Sequence, residues 1–506
     1  VASPTRSVLS GAAWNYAGAA VLIVAQVLST AATARLVSPR EFGVYATAQA
    51  AAGIFGYFTF SAVGQGLLRR PHLGPRAVGT AMAISLTSGG VVALVMWFTA
   101  GAWSDAWHVP DAKSIVRVFA LTLFLTSCAT VPLALLRRSL RFQAAALVET
   151  GTQVVGITAG VLLAVQMHSA MALAIGQTIA AGAVLASASV LTRRELRLDF
   201  EGFEASDLFS FAGQVGAQNI GFFTLYTAPS WVIARLFGAK ALGFYSRANL
   251  IVGLPLNYLT TGLIKVMYPF YGRVGTQVLR ARALLSEAVT ISTGFSWTFF
   301  ALVAGASPVI VDVLLGPRWH ASATLVRLCA LTACANLPWV LLANAAEAFR
   351  WMRVVWSVQA AYALVLGTSI AVVHLASLGV NDILLGAAAA QWTGYLFLVR
   401  AFALRGLLDV RMITIGHMIH GAIAVGAFAA AAGCARLLHG EPLLVQTMAE
   451  FGVALAAGGI LLAGRLWIPC SRLLGQRLAV ATNDNSRLLA RLGFSALDPS
   501  LGETTR

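Results

Sequence analysis

Four basic residues stand where apolar sequence surrounds them: Arg35, Arg235, Arg247 and Lys265. A cation within a membrane-spanning segment is costly, so each calls for a partner or a function. Guanidinium groups offer planar, bidentate donors that suit phosphate or diphosphate. Arg247 and Lys265 are 18 residues apart, five helical turns, which sets them on one helix face about 27 Å apart along the axis. Pro255 lies between them and is expected to kink that helix, loosening the register. Arg35 and Arg235 belong near the outer ends of their spans. There they either snorkel to the interface and tie down the following turn, or flank the mouth of a cleft.

Only two acids, Glu149 and Glu347, are buried in apolar sequence. Glu149 follows Arg141 by about two turns and is either a partner for a neighbouring arginine or a protonatable coupling site. Glu347 has Arg350 three residues on, a helix-surface pair. Arg117 and Arg327, early in their helices, read as interfacial. The amides Gln26, Gln49, Gln153, Gln177, Asn257, Asn336 and Asn344 are expected to hydrogen-bond between helices. Gln214, Gln218 and Asn219 lie together and are expected to line a path for sugar. His417 and His420 share a helix face but lack a nearby carboxylate or third ligand. The five cysteines show neither metal nor disulfide spacing. Neither metal nor cofactor is expected, and these residue types do not decide between proton coupling, sodium coupling and none.

The elements that must hold these residues are membrane helices. Hydrophobic residues make up 58 % of the 506 and charged residues 11 %, with a mean hydropathy of +0.79. That balance lies outside the range of soluble globular chains. A net charge of +16 raises the question of nucleic acid. However, the arginines come in small groups between apolar runs rather than on one face with stacking aromatics, which excludes a nucleic-acid partner. The first apolar run is too long for a signal-peptide core and is expected to remain as a transmembrane helix.

An internal repeat orders the spans. Over Ala34 to Ala48, six of fifteen residues recur 200 positions later, among them Ala234-Arg235-Leu236, Gly243 and Tyr245. Val116-Arg117-Val118-Phe119-Ala120-Leu121 returns as Val326-Arg327-Leu328-Cys329-Ala330-Leu331, and Gln177 is echoed by Gln391. Thr47 is the counterpart of Arg247, so that charge is an addition to one copy only. With roughly 20 apolar residues per crossing, the chain is expected to be an all-α polytopic membrane protein of about 14 transmembrane helices. Two six-helix bundles, 1–200 and 201–406, are related by a pseudo-twofold axis along the membrane normal; two further helices (407–468) and a cytoplasmic tail (469–506) follow. Parallel repeats of this kind place a substrate site between the halves.

If the N-terminus is inside, 24 of the 35 basic residues fall on inner segments. Both termini are therefore expected in the cytoplasm. The loops are too short for a catalytic domain, so a glycosyltransferase or polymerase is disfavoured and no enzyme is expected.

Ala34-Arg35-Leu36-Val37-Ser38-Pro39-Arg40-Glu41-Phe42-Gly43, the run Leu136 to Phe142 with Glu149, Gly238 to Ala248, and Leu315-Gly316-Pro317-Arg318-Trp319 resemble the bacterial polysaccharide transporter family. Within it, the nearest resemblance is to the exopolysaccharide and lipopolysaccharide biosynthesis group. The resemblance spans about residues 8–400. It implies the multidrug/oligosaccharidyl-lipid/polysaccharide exporter fold in the bacterial inner membrane. The implied function is a flippase that moves a polyprenyl-diphosphate-linked oligosaccharide by alternating access. It also implies contact with membrane lipid, and a polysaccharide polymerase and chain-length regulator as partners. Arg35, Arg247 and Glu149 fall on the family's motif positions; Lys265 rests on helix geometry. Two other readings stay open, a multidrug-type cation antiporter on the same fold and a non-transporting scaffold of a polysaccharide assembly complex.

Overall fold

The structure is a computed structural model that describes residues 4–59, 75–139, 141–196, 206–274 and 278–463. All regular structure among them is helical. The fourteen α-helices are α1 (Pro4–Leu36), α2 (Pro39–Gly56), α3 (Pro75–Ala106), α4 (Ala112–Arg138), α5 (Phe142–Met167), α6 (Met171–Leu191), α7 (Ser206–Val274), α8 (Val278–Gly305), α9 (Ser307–Leu314), α10 (Ser322–Ala348), α11 (Met352–Leu375), α12 (Val380–Ala403), α13 (Val410–Leu437) and α14 (Leu443–Ala463). Ten helical segments of the described residues are long and apolar enough to cross a membrane. Large apolar side chains such as Phe98, Leu375 and Leu437 stand exposed on the surface, as a lipid-facing exterior requires. The chain is a multi-pass membrane protein.

Local sequence explains the main breaks. Ser38 and Pro39 start α2: the Ser38 hydroxyl accepts a hydrogen bond from the Glu41 N–H at 3.3 Å, and proline at the first helical position sacrifices no hydrogen bond. The long α7 is two arms joined at Gly238, whose φ of +82° and ψ of 174° lie outside helical space. Only glycine adopts that conformation without strain. Among the described residues of α7 no other, Pro255 included, departs from helical φ/ψ.

The chain forms two compact units. One comprises Val1–Leu254, Ser307–Cys329 and Val365–Ala387; the other comprises Pro255–Ala306, Ala330–Leu364 and Ala388–Arg506. In the first unit, Val78, Ala81 and Ile84 of α3 pack on Val131, Ala134 and Leu135 of α4. Helices α5 and α6 approach so closely that a Cβ on Gly156 would come within 2.5 Å of the Ala180 Cβ, and one on Gly176 within 2.5 Å of the Gly156 carbonyl oxygen. Small residues spaced four apart permit this close packing, which lipid-embedded helices use in place of a hydrophobic driving force.

The second unit is built around aromatic packing. Trp297 lies 5.3 Å from Trp392 and 5.0 Å from His417. His417 Nδ1 lies 2.6 Å from the Ile413 carbonyl oxygen, to which it must donate. Its Nε2 therefore accepts from the Tyr395 hydroxyl at 2.7 Å. Both ring nitrogens of His417 are thus engaged, Nδ1 within α13 and Nε2 in holding α12 against α13.

Candidate functional site

The two copies of the repeated motif meet within the first unit, and they do so reciprocally. A Cβ on Gly43 would overlap the carbonyl oxygen of Ala239, and a Cβ on Gly243 would overlap that of Pro39. Since 43 and 243, like 39 and 239, are counterparts 200 residues apart, each glycine seats on the carbonyl that the other copy presents. With hydrogen in place of a side chain, the Cα–H groups face those oxygens.

Arginines complete the exchange. Arg35 donates through Nη2 to the Val313 carbonyl at 3.1 Å and through Nη1 to Leu314 at 3.5 Å, at the C-terminal end of α9. It also donates to Ala31 of its own helix at 2.7 Å. Arg235 donates to the Ala106 carbonyl at 3.0 Å, at the C-terminal end of α3, and Trp231 Nε1 reaches the same oxygen at 3.3 Å. Terminal helix carbonyls lack intrahelical partners and carry the negative end of the macrodipole, so a cation there is favoured. The Ala34 carbonyl accepts from Arg318, from Trp319 Nε1 at 2.9 Å, and the Arg235 carbonyl lies 3.4 Å from His108 Nδ1. Trp319 is fully buried, edge-on to Phe42 at 5.4 Å and to Phe244 at 5.8 Å. Together these contacts make a latch between the first and second halves of the sequence.

Beside the latch is a cavity of about 120 Å³ walled by α1, α2, α5, α6 and the second arm of α7. Arg247 lines it, only 7 % exposed, with its guanidinium 4.2 Å from the centre of the Phe42 ring. Gln26, Gln49, Gln153 and Gln177 converge there with Tyr45. Gln177 Nε2 donates to the Tyr45 hydroxyl at 2.5 Å. The sequence offered these amides only as separate interhelical bonds, on four different helices. The recurrence of Tyr45 and the echo of Gln177 were the signals that they mattered.

The remaining candidates lie apart. Glu149 forms an ion pair with Arg137 at 2.5 Å, about a third exposed, while Arg141 donates to the Leu191 carbonyl at 3.3 Å. Arg117 stacks over Trp97 at 5.3 Å, and Arg327 donates to the Ser307 hydroxyl at 3.1 Å. The side chains of Lys265, Gln214, Gln218 and Asn219 lie outside the described residues. No group of three or more His, Cys, Asp or Glu is placed to hold a metal among the described residues.

The succinoglycan biosynthesis transport protein ExoT of Rhizobium meliloti (strain 1021) is 26 % identical over 306 residues, 59 % of this chain and 60 % of that one. The lipopolysaccharide biosynthesis protein WzxC of Escherichia coli (strain K12) is 19 % identical over 322 residues, 63 % and 65 % of the two chains. The chain thus spans somewhat under two thirds of the length of these relatives. Among solved structures, the lipid II flippase MurJ in an inward closed conformation superposes with a TM-score of 0.68 at 10 % identity, over 90 % of this chain and 99 % of that one. This likeness supports the transporter fold expected from the repeat. The family model described as polysaccharide biosynthesis protein matches residues 32–324, more than half of the sequence and including both copies of the latch motif, and the chain belongs to that family.

Proposed function

We propose that the protein is a transporter that flips a polyprenyl-diphosphate-linked oligosaccharide repeat unit across the bacterial inner membrane. The observation that carries this reading is the latch. It is a closure between sequence halves made of backbone contacts, arginine-to-carbonyl hydrogen bonds and one buried ring, Trp319. Alternating access needs such a two-state element, biased by cargo through its different affinity for the two states. With both termini in the cytoplasm, as the arginine distribution favours, the latch closes the outer end and holds the state that loads from the inner leaflet. The transport role in the names of ExoT and MurJ supports the same reading. Among the described residues the cavity wall carries a guanidinium and no carboxylate, a charge sign that disfavours a cation antiporter.

The test is mass spectrometry of lipid-linked saccharides in cells lacking this protein. A completed lipid-linked repeat unit is expected to accumulate, to be cleared by the intact chain and to persist with Gly243→Val. Cells that build up no such intermediate rule the flippase reading out.

A further inference from the structure

Arg247 poses a problem that the latch does not solve. Its Nε is buried without a hydrogen-bond partner, and none of the ion pairs among the described residues includes it. A guanidinium keeps its charge in proteins, and a buried charge needs a partner. Phe42 offers one ring face, a partial answer at best. Among the described residues, the cavity wall holds no carboxylate. Glu41, the acid on α2, is committed elsewhere: its Oε2 accepts from the Ser169 hydroxyl at 2.7 Å and the Ala170 N–H at 2.9 Å.

What the wall does hold is neutral donors. Because Gln177 donates to the Tyr45 oxygen, the Tyr45 hydroxyl proton is available to another acceptor. Gln26, Gln49 and Gln153 add amide N–H groups. One fixed positive charge ringed by neutral donors matches one negative charge. The cavity, about 120 Å³, far exceeds the roughly 10–15 Å³ a single water needs, leaving room for a small ion with part of its hydration. We infer that this cavity binds a small monovalent inorganic anion of the halide class, held by Arg247 with Tyr45 and the glutamine amides. The site does not depend on the flippase reading. It gives Arg247 a ligand other than the cargo diphosphate and leaves the repeat electrically one-sided, since Thr47, its counterpart, donates to the Gly43 carbonyl instead.

The experiment uses the purified full-length chain in lipid nanodiscs, with sodium chloride replaced stepwise by sodium gluconate at constant ionic strength. The unfolding midpoint is expected to rise saturably with chloride, and likewise with bromide. Arg247→Gln should remove the dependence. If that variant proves too unstable to purify, Gln49→Leu should weaken the apparent halide affinity about tenfold, as loss of one hydrogen bond to an ion predicts. Bromide should also give an anomalous diffraction peak beside Arg247. Equal midpoints in chloride and gluconate overturn the inference, as does a chloride effect of the same size in Arg247→Gln. A midpoint shift from sodium pyrophosphate but not from halide also overturns it, and assigns the cavity to the cargo headgroup. Saccharide clearance in cells is read separately, so a failed flippase reading and an absent anion site are distinguishable.

Discussion

Gly43 and Gly243 occupy the same place in two copies of one motif, and each is pressed against a backbone carbonyl of the copy that contains the other. Neither contact tolerates a side chain, because the obstructing atom is main chain and cannot rotate away.

Gly43→Ala or Gly243→Ala is therefore expected to force the latch apart. Overpacking of this kind costs about 1–3 kcal/mol, enough to shift a two-state equilibrium about fivefold to 150-fold. Cysteine labelling near residues 34–45 should become faster in either variant while membrane abundance is kept. Since both glycines act on one interface, the double variant should be little worse than either single one, a non-additivity that a double-mutant cycle reads directly.

Trp319→Ala removes a fully buried ring between Phe42 and Phe244 together with the donor to Ala34. A loss of about 3–5 kcal/mol is expected. Trp319→Phe retains most of the packing and gives up the hydrogen bond, worth about 1 kcal/mol. Thermal unfolding in detergent should rank intact chain, Phe variant and Ala variant in that order.

Glu149 is paired with Arg137 at a partly exposed position. Pairs of this type contribute about 0–1 kcal/mol. Glu149→Gln is expected to leave saccharide clearance within about twofold of the intact chain. A proton-coupling role predicts instead a loss that grows as the imposed pH gradient is varied, so transport measured across several gradients decides between them.

Gly176→Leu should separate α5 from α6, since the added side chain points into the Gly156 and Gly160 backbone. Destabilisation of at least about 1–3 kcal/mol is expected, with faster proteolysis within 142–191. Leu at Gly253, where a Cβ meets nothing within 4 Å, is the matched control and should be silent.

The helices were legible because lipid imposes a length of roughly 20 apolar residues on every crossing. The repeat was legible as well. That its copies touch one another was not, because a glycine marks a close approach without naming what approaches. Spacing makes Arg35 and Arg235 equivalent and places them near helix ends; their acceptors, at the ends of α9 and α3, depend on packing that spacing does not encode. The cavity was hidden for the same reason. Gln26, Gln49, Gln153 and Gln177 look like isolated amides until four helices bring them to one wall.

The latch also has the character of an isologous contact, the self-complementary patch by which identical subunits form twofold dimers. Here both partners sit on one chain. A single copy of the repeat would carry everything needed to close against another copy of itself, so the joint requires no complementary surface to be invented separately. Its cost is shared inheritance: drift at either glycine is felt by both copies, and the asymmetry needed for directional work has to come from residues such as Arg247 that only one copy acquired.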